Sequence, residues 1–178
     1  MHKQKLAMTF IILLGGTAVV VSYVHAFLTN PAATQAAWGG VTADIRPIYG
    51  VFMLMAMLGY FAYTYFIFFR LDPEEARIAN RLRFTVFNVI YVAILIPSAL
   101  YLPLTFKMLE QPSPGLWWTV RLDLAVVGLA SLGLIAALLT LRPRRPAWAY
   151  WLAVAGSVAF SIQTALLDAL IWPALFPL

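Results

Sequence analysis

His25, Arg46, Arg121, Asp123 and Asp168 gather at one depth, in or beside the same end of the long apolar runs. Their types define what chemistry the chain could do. An ionised carboxylate surrounded by apolar residues is costly unless it is paired, and embedded charges are more often functional than not. Asp123 and Asp168 are thus a ligand or proton site, or else halves of structural ion pairs. His25, Arg46 and Arg121 are the cations available to them. Arg121 and Asp123 are two residues apart, so on a helix they point to different sides and do not pair with each other. His25 with a carboxylate has the residue types of general acid–base catalysis. No catalytic motif accompanies them: there is no phosphate loop, no dinucleotide fingerprint and no serine elbow. A zinc site could draw on His25, Asp123 and Asp168, but no ligand spacing supports it. A haem held by two histidines fails because His2 is terminal. A retinal Schiff base fails because Lys3, Lys5 and Lys107 all lie at ends of apolar runs. The expectation is no catalytic residue, no metal and no cofactor.

The elements that must position these residues follow from composition. Of 178 residues, 63% are hydrophobic and 11% charged, and the mean hydropathy is +0.86. Soluble domains carry roughly a quarter charged residues, so a soluble enzyme is excluded, and disorder with it. The absence of cysteine removes disulfides, thiolate metal sites and cysteine nucleophiles. About 20 apolar residues cross a bilayer, and five runs are long enough: 6–28, 47–69, 84–106, 117–141 and 148–171. The first also has features of a signal peptide, with Lys3 and Lys5 ahead of an apolar core and small residues near Ala26, but its apolar run is longer than a signal core. It reads as a transmembrane helix. The predicted fold is an all-α integral membrane protein, residues 1–178 forming one domain, a compact bundle of five transmembrane helices.

Basic residues set the orientation. Nine lie on one side (Lys3, Lys5, Arg70, Arg77, Arg81, Arg83, Arg142, Arg144, Arg145) and three on the other (Arg46, Lys107, Arg121). That places the N-terminus in the cytoplasm and the C-terminus outside, with a bacterial inner membrane as the expected location. In this setting the pI near 9.7 reports topology and lipid headgroups, not nucleic acid. Asp72-Pro73-Glu74-Glu75 reads as a helix start, predicting a short inner helix through Arg83. The outer loop from Thr29 to Arg46 is long enough to be a lid.

Small and polar residues mark the faces that pack in a membrane. Steps of three and four align Gly15, Ala18, Ser22, His25 and Thr29 on the first helix, and Met53, Met57 and Tyr60 on the second. They align Asn88, Tyr91, Ser98 and Thr105 on the third, Asp123, Ala130, Gly133, Ala137 and Thr140 on the fourth, and Ser157, Ser161, Thr164 and Asp168 on the fifth. Polar groups from all five helices thus converge on the outer third. The predicted ligand-binding set is His25, Trp38, Arg46, Tyr49, Tyr101, Arg121, Asp123, Thr164 and Asp168.

Several segments resemble the translocator proteins, also called tryptophan-rich sensory proteins. Pro47 to Tyr60, ending Met57-Leu58-Gly59-Tyr60, is similar to that family's second helix. Leu122-Asp123-Leu124 and the turn at Pro143 into Trp148–Trp151 run parallel to its fourth and fifth. The first loop departs from the family, with Trp38 as its single tryptophan. The resemblance implies a five-helix bundle binding porphyrins, sterols or similar flat apolar molecules under the first loop. Three functions follow from these readings. The first is binding or transport of a small hydrophobic or amphipathic ligand, such as a porphyrin, sterol or lipid, in an outer pocket. The second is an accessory or assembly subunit, with a homodimer or larger membrane complex as its setting. The third is a lipid-modifying enzyme using His25 and a carboxylate. The bilayer is a partner in every case.

Overall fold

Prolines and hydroxyl side chains decide where several helices begin. Ser113 Oγ accepts a hydrogen bond from the Leu116 amide (3.2 Å), and Pro114 takes the first helical position, where its missing N–H costs nothing. Pro31 and Pro47 play the same part at two other starts. The computed structural model describes residues 2–177 and is 80% helical. Its helices are α1 (Lys3–Thr29), α2 (Pro31–Ala36), α3 (Arg46–Tyr65), α4 (Thr85–Glu110), α5 (Pro114–Thr140), α6 (Ala147–Ser161) and α7 (Trp172–Leu175). A π-helical stretch, Phe66–Arg70, continues α3, and a longer one, Ile162–Ile171, joins α6 to α7. Five helical segments are long and apolar enough to cross a membrane: Lys3–Thr29, Arg46–Arg70, Thr85–Glu110, Pro114–Thr140 and Ala147–Leu175. Each covers nearly all of one of the five apolar runs read from the sequence.

The helices pack in a series of pairs. α1 lies against α4, α4 against α5, α5 against α6 and its π-helical continuation, and α6 against α3. The α3–α6 pair is the closest. A Cβ on Gly156 would stand 2.8 Å from the Gly59 Cα, and one on Gly59 would collide with the Gly156 carbonyl. Side chains bury in two main groups. One, around Tyr63, Phe66, Phe87, Tyr91, Leu134 and Tyr150, fills the end where α3 and α5 finish. The other, around Tyr49, Trp117, Val120, Leu124, Leu167 and Trp172, fills the end where they begin.

The segment after Asp72 differs from its predicted helix. Asp72 Oδ1 does accept from the Glu74 amide (2.8 Å), but the turn it starts does not propagate. Arg77–Ile78 forms strand β1, paired antiparallel with β2 (Leu141–Arg142) at the end of α5. Ala79 and Asn80 then take left-handed backbone, and the Ala79 amide donates to the Thr140 carbonyl (3.2 Å). Free carbonyls at the end of α5 offer partners that a short isolated helix could not match. The inward faces also shift. On α1 the buried positions are Met8 and Ala26, with Gly15 against Leu95, while His25 and Thr29 are exposed. From Ser22, one helical turn leads to His25 by a step of three or to Ala26 by a step of four, and packing selects the second. On α3 the inward line is Tyr49, Ala56, Gly59 and Tyr63, one side of the Met53–Met57 stripe. On α5 Gly128 meets Ala165, whereas Gly133 faces open space.

Candidate ligand cavity

Asp168 is positioned by the π-helical register. In an α-helix residue 168 lies over Thr164; with i→i+5 hydrogen bonding, side chains five apart come together. Gln163 Nε2 accordingly donates to Asp168 Oδ1 at 2.8 Å. Gln163 was absent from the predicted set, because α-helical spacing does not bring it to Asp168. The same stretch presents the Leu167 carbonyl to Tyr49, whose hydroxyl donates to it at 3.0 Å, linking α3 to this segment. Thr164 Oγ1 donates back to the Phe160 carbonyl (2.9 Å).

These residues form one wall of a cavity of about 490 Å³. α1 contributes Val19, Tyr23 and Phe27; α3 contributes Tyr49, Met53 and Ala56; α4 contributes Ser98, Tyr101 and Leu102; α5 contributes Leu124 and Val127. Phe160, Gln163, Thr164, Asp168 and Trp172 complete the wall, and Thr34, Ala37 and Trp38 close it from the segment after α1. Tyr23, Tyr49 and Tyr101 line the same cavity as Asp168.

The closing segment is fastened at several points. Trp172 Nε1 donates to the Ala37 carbonyl (2.9 Å), and the Trp38 ring meets Tyr49 edge-on at 5.9 Å. Gly39 has φ of +56°, a left-handed conformation natural to glycine, and lies against the Phe176 ring. Gly40 lies under the Leu175 carbonyl, where any side chain would collide. The Thr29–Arg46 connection is therefore a packed cover that includes α2.

No protein-family model, curated protein or solved structure matches this chain. The chemistry of the cavity rests on its own walls. Of the nine predicted site residues, five line it: Trp38, Tyr49, Tyr101, Thr164 and Asp168. The other four do not. His25 is exposed on α1. Arg46 lies over the Trp38 ring at 5.3 Å, and its Nε donates to the Val41 carbonyl (3.2 Å). Arg121 lies over Trp118 at 4.7 Å and Trp117 at 5.8 Å. Neither arginine reaches a carboxylate of the described residues. Among the described residues the one ion-pair contact is His2 Nε2 to Glu74 Oε1 at 3.9 Å. The expected pairing of Asp123 or Asp168 with a cation is thus replaced by an amide partner for Asp168. The guanidinium groups are satisfied by aromatic faces and, for Arg46, a carbonyl.

Asp123 is buried next to Leu124 in the chain but does not line the cavity, and among the described residues its Oδ2 has no hydrogen-bond partner. An unsatisfied buried acceptor costs about 1–3 kcal/mol, more when charged. Asp123→Asn, which keeps the shape and removes the charge, is expected to stabilise the fold by about 1 kcal/mol. That corresponds to a rise of about 2–4 °C in the thermal midpoint for a chain of this size. A lower midpoint in detergent would mean that the Asp123 carboxylate has a favourable partner.

Proposed function

We propose that this is an integral membrane protein that binds or transports a small hydrophobic or amphipathic ligand in the cavity between its helices. The cavity carries the reading. Ligand sites of about 300–1,000 Å³ are mostly apolar and hold a few placed polar groups, and this one is walled by aromatic and aliphatic side chains around the Gln163–Asp168 pair. Flat or elongated apolar molecules such as porphyrins, sterols or lipids match such walls, and kinship with the translocator proteins belongs to the same proposal. Native mass spectrometry of the gently extracted protein tests it. A retained small molecule, absent from variants with a filled cavity, is the expected result. Extraction and reloading with apolar ligands that never yield an adduct would overturn it.

The five helices form a transmembrane bundle in a bacterial inner membrane, with the N-terminus and the Arg142 end cytoplasmic. The excess of basic residues on that side supports this orientation. The chain has no cysteine, so single cysteines report sidedness directly. Glu110→Cys is expected to react with an impermeant maleimide on intact spheroplasts, and Arg145→Cys only after permeabilisation. The reverse pattern would invert the topology.

An accessory-subunit role has one observation in its favour. α1 buries only Met8 and Ala26 within the chain, and Gly16 on it faces open space. Small residues let another helix approach closely. A polypeptide co-purifying in place of a small molecule would favour that role.

A further inference from the structure

The polar part of the cavity wall is one-sided in charge. Among the described residues Asp168 is the only carboxylate that lines the cavity, and none of its lining residues is a lysine, arginine or histidine. Several of the hydrogen-bond donors on the wall are already spent. One of the two Gln163 amide N–H groups is held by Asp168 Oδ1, the Tyr49 hydroxyl by the Leu167 carbonyl, and the Trp172 indole by the Ala37 carbonyl. What remains on the Gln163–Asp168 pair is mainly acceptor, with one Gln163 N–H beside it. Among the described residues, the buried Oε1 of Gln163 has no partner, and the second Asp168 oxygen has none of the cations of this end beside it. The Tyr23 and Tyr101 hydroxyls can act either way.

Aromatic rings stand around this acceptor. Tyr101 meets Trp172 edge-on at 6.0 Å, and Trp38 meets Tyr49 in the same way at 5.9 Å. Aromatic faces attract cations through the ring quadrupole, most strongly where water is excluded. Rings at this end of the molecule already do so, since Arg46 lies over Trp38 and Arg121 over Trp118. A carboxylate without a cationic partner and several aromatic rings around one cavity select positive charge. They disfavour a carboxylate or phosphate head, which would meet Asp168 with no cation between them.

We infer that the cavity takes a lipophilic monocation, an amphipathic amine or quaternary ammonium. Its charged head lies between the Asp168–Gln163 pair and the rings of Tyr49, Tyr101 and Trp172, and its apolar body runs along Val19, Met53 and Leu102. The inference rests on the cavity being a ligand site, and it narrows the ligand class by charge.

Three probes of matched shape test it on the full-length protein in phosphatidylcholine nanodiscs, by equilibrium dialysis against empty nanodiscs. They are para-phenylbenzyl trimethylammonium, its uncharged carbon isostere para-phenyl neopentylbenzene, and the anion para-phenyl phenylacetate. The cation is expected to bind at least about tenfold tighter than the isostere, and the anion weakest of the three. Asp168→Asn is expected to lower cation affinity by about tenfold or more while moving the isostere by less than about threefold. The charge series on the unaltered protein stands even if that variant fails to fold. Equal or tighter binding of the isostere or the anion, removed by Ser98→Phe, overturns the cation class and leaves the ligand site intact. No binding of any probe above empty nanodiscs overturns both.

Discussion

Replacing Gly156 with leucine is expected to separate α3 from α6 and to cost the protein its stable fold. A Cβ at this position would stand 2.8 Å from the Gly59 Cα, 2.9 Å from its carbonyl oxygen and 3.2 Å from the Ala62 Cβ. Two of those atoms are backbone and none can rotate away, so the helices must move apart. Overpacking costs typically about 1–3 kcal/mol even when neighbouring side chains can adjust. Gly156→Ala falls in that range, and Gly156→Leu exceeds it because the longer side chain has no space to enter. In lipid the loss is sharper in kind, since close backbone approach through small residues is a main source of helix–helix attraction there. The matched control is Gly133→Ala on α5. Nothing lies within 4 Å of that position, so alanine adds only helix propensity, up to about 1 kcal/mol in its favour. Thermal midpoints of the three variants in one detergent give the comparison. A Gly156→Leu protein that melts with the unaltered chain would show that α3 and α6 do not cross at Gly59 and Gly156.

Filling the cavity is expected to abolish ligand binding without unfolding the chain. Ala56 on α3 and Ser98 on α4 both line it. A phenylalanine at either place enters space the structure leaves open instead of displacing a packed neighbour. Ala56→Phe and Ser98→Phe are each expected to lower affinity for a cavity ligand by about a hundredfold or more, equivalent to about 2.8 kcal/mol. Thermal midpoints should stay near that of the parent, because added apolar contact offsets local strain. Since the two positions belong to different helices, loss of binding in both points to the cavity and not to either helix alone. Unchanged affinity in both, with the fold retained, would place any ligand elsewhere on the protein.

Composition and the length of apolar runs were sufficient for the five helices. Spans long and apolar enough to cross a bilayer leave the backbone no better solution than a helix. Starts such as Ser113-Pro114 were equally readable, because a cap acts within one turn. The candidate site was legible in part. Trp38, Tyr49, Tyr101, Thr164 and Asp168 belong to the cavity, as their depth in the spans suggested. His25, Arg46, Arg121 and Asp123 share that end of the molecule but do not line the cavity. Depth follows from counting residues, whereas direction depends on helix rotation. A choice between three and four residues per step turned His25 outward and Ala26 inward.

What the tertiary structure decided is where local rules compete. Asp72 has the residue pattern of an N-cap, yet the open end of α5 drew Arg77–Ile78 into a strand pair with Leu141–Arg142. Asp168 had three cations expected at its own depth, yet its partner is Gln163, five residues back in the same segment. α-Helical periodicity cannot show that pair, because it exists only where the helix widens to the π register. The cavity itself is a property of how α1, α3, α4, α5 and the last helix stand around one another. Sequence determines which residues must be helical and apolar through local hydrogen bonding and solvation. Which of their faces meet, and what space they leave, is set by packing between segments distant in the chain.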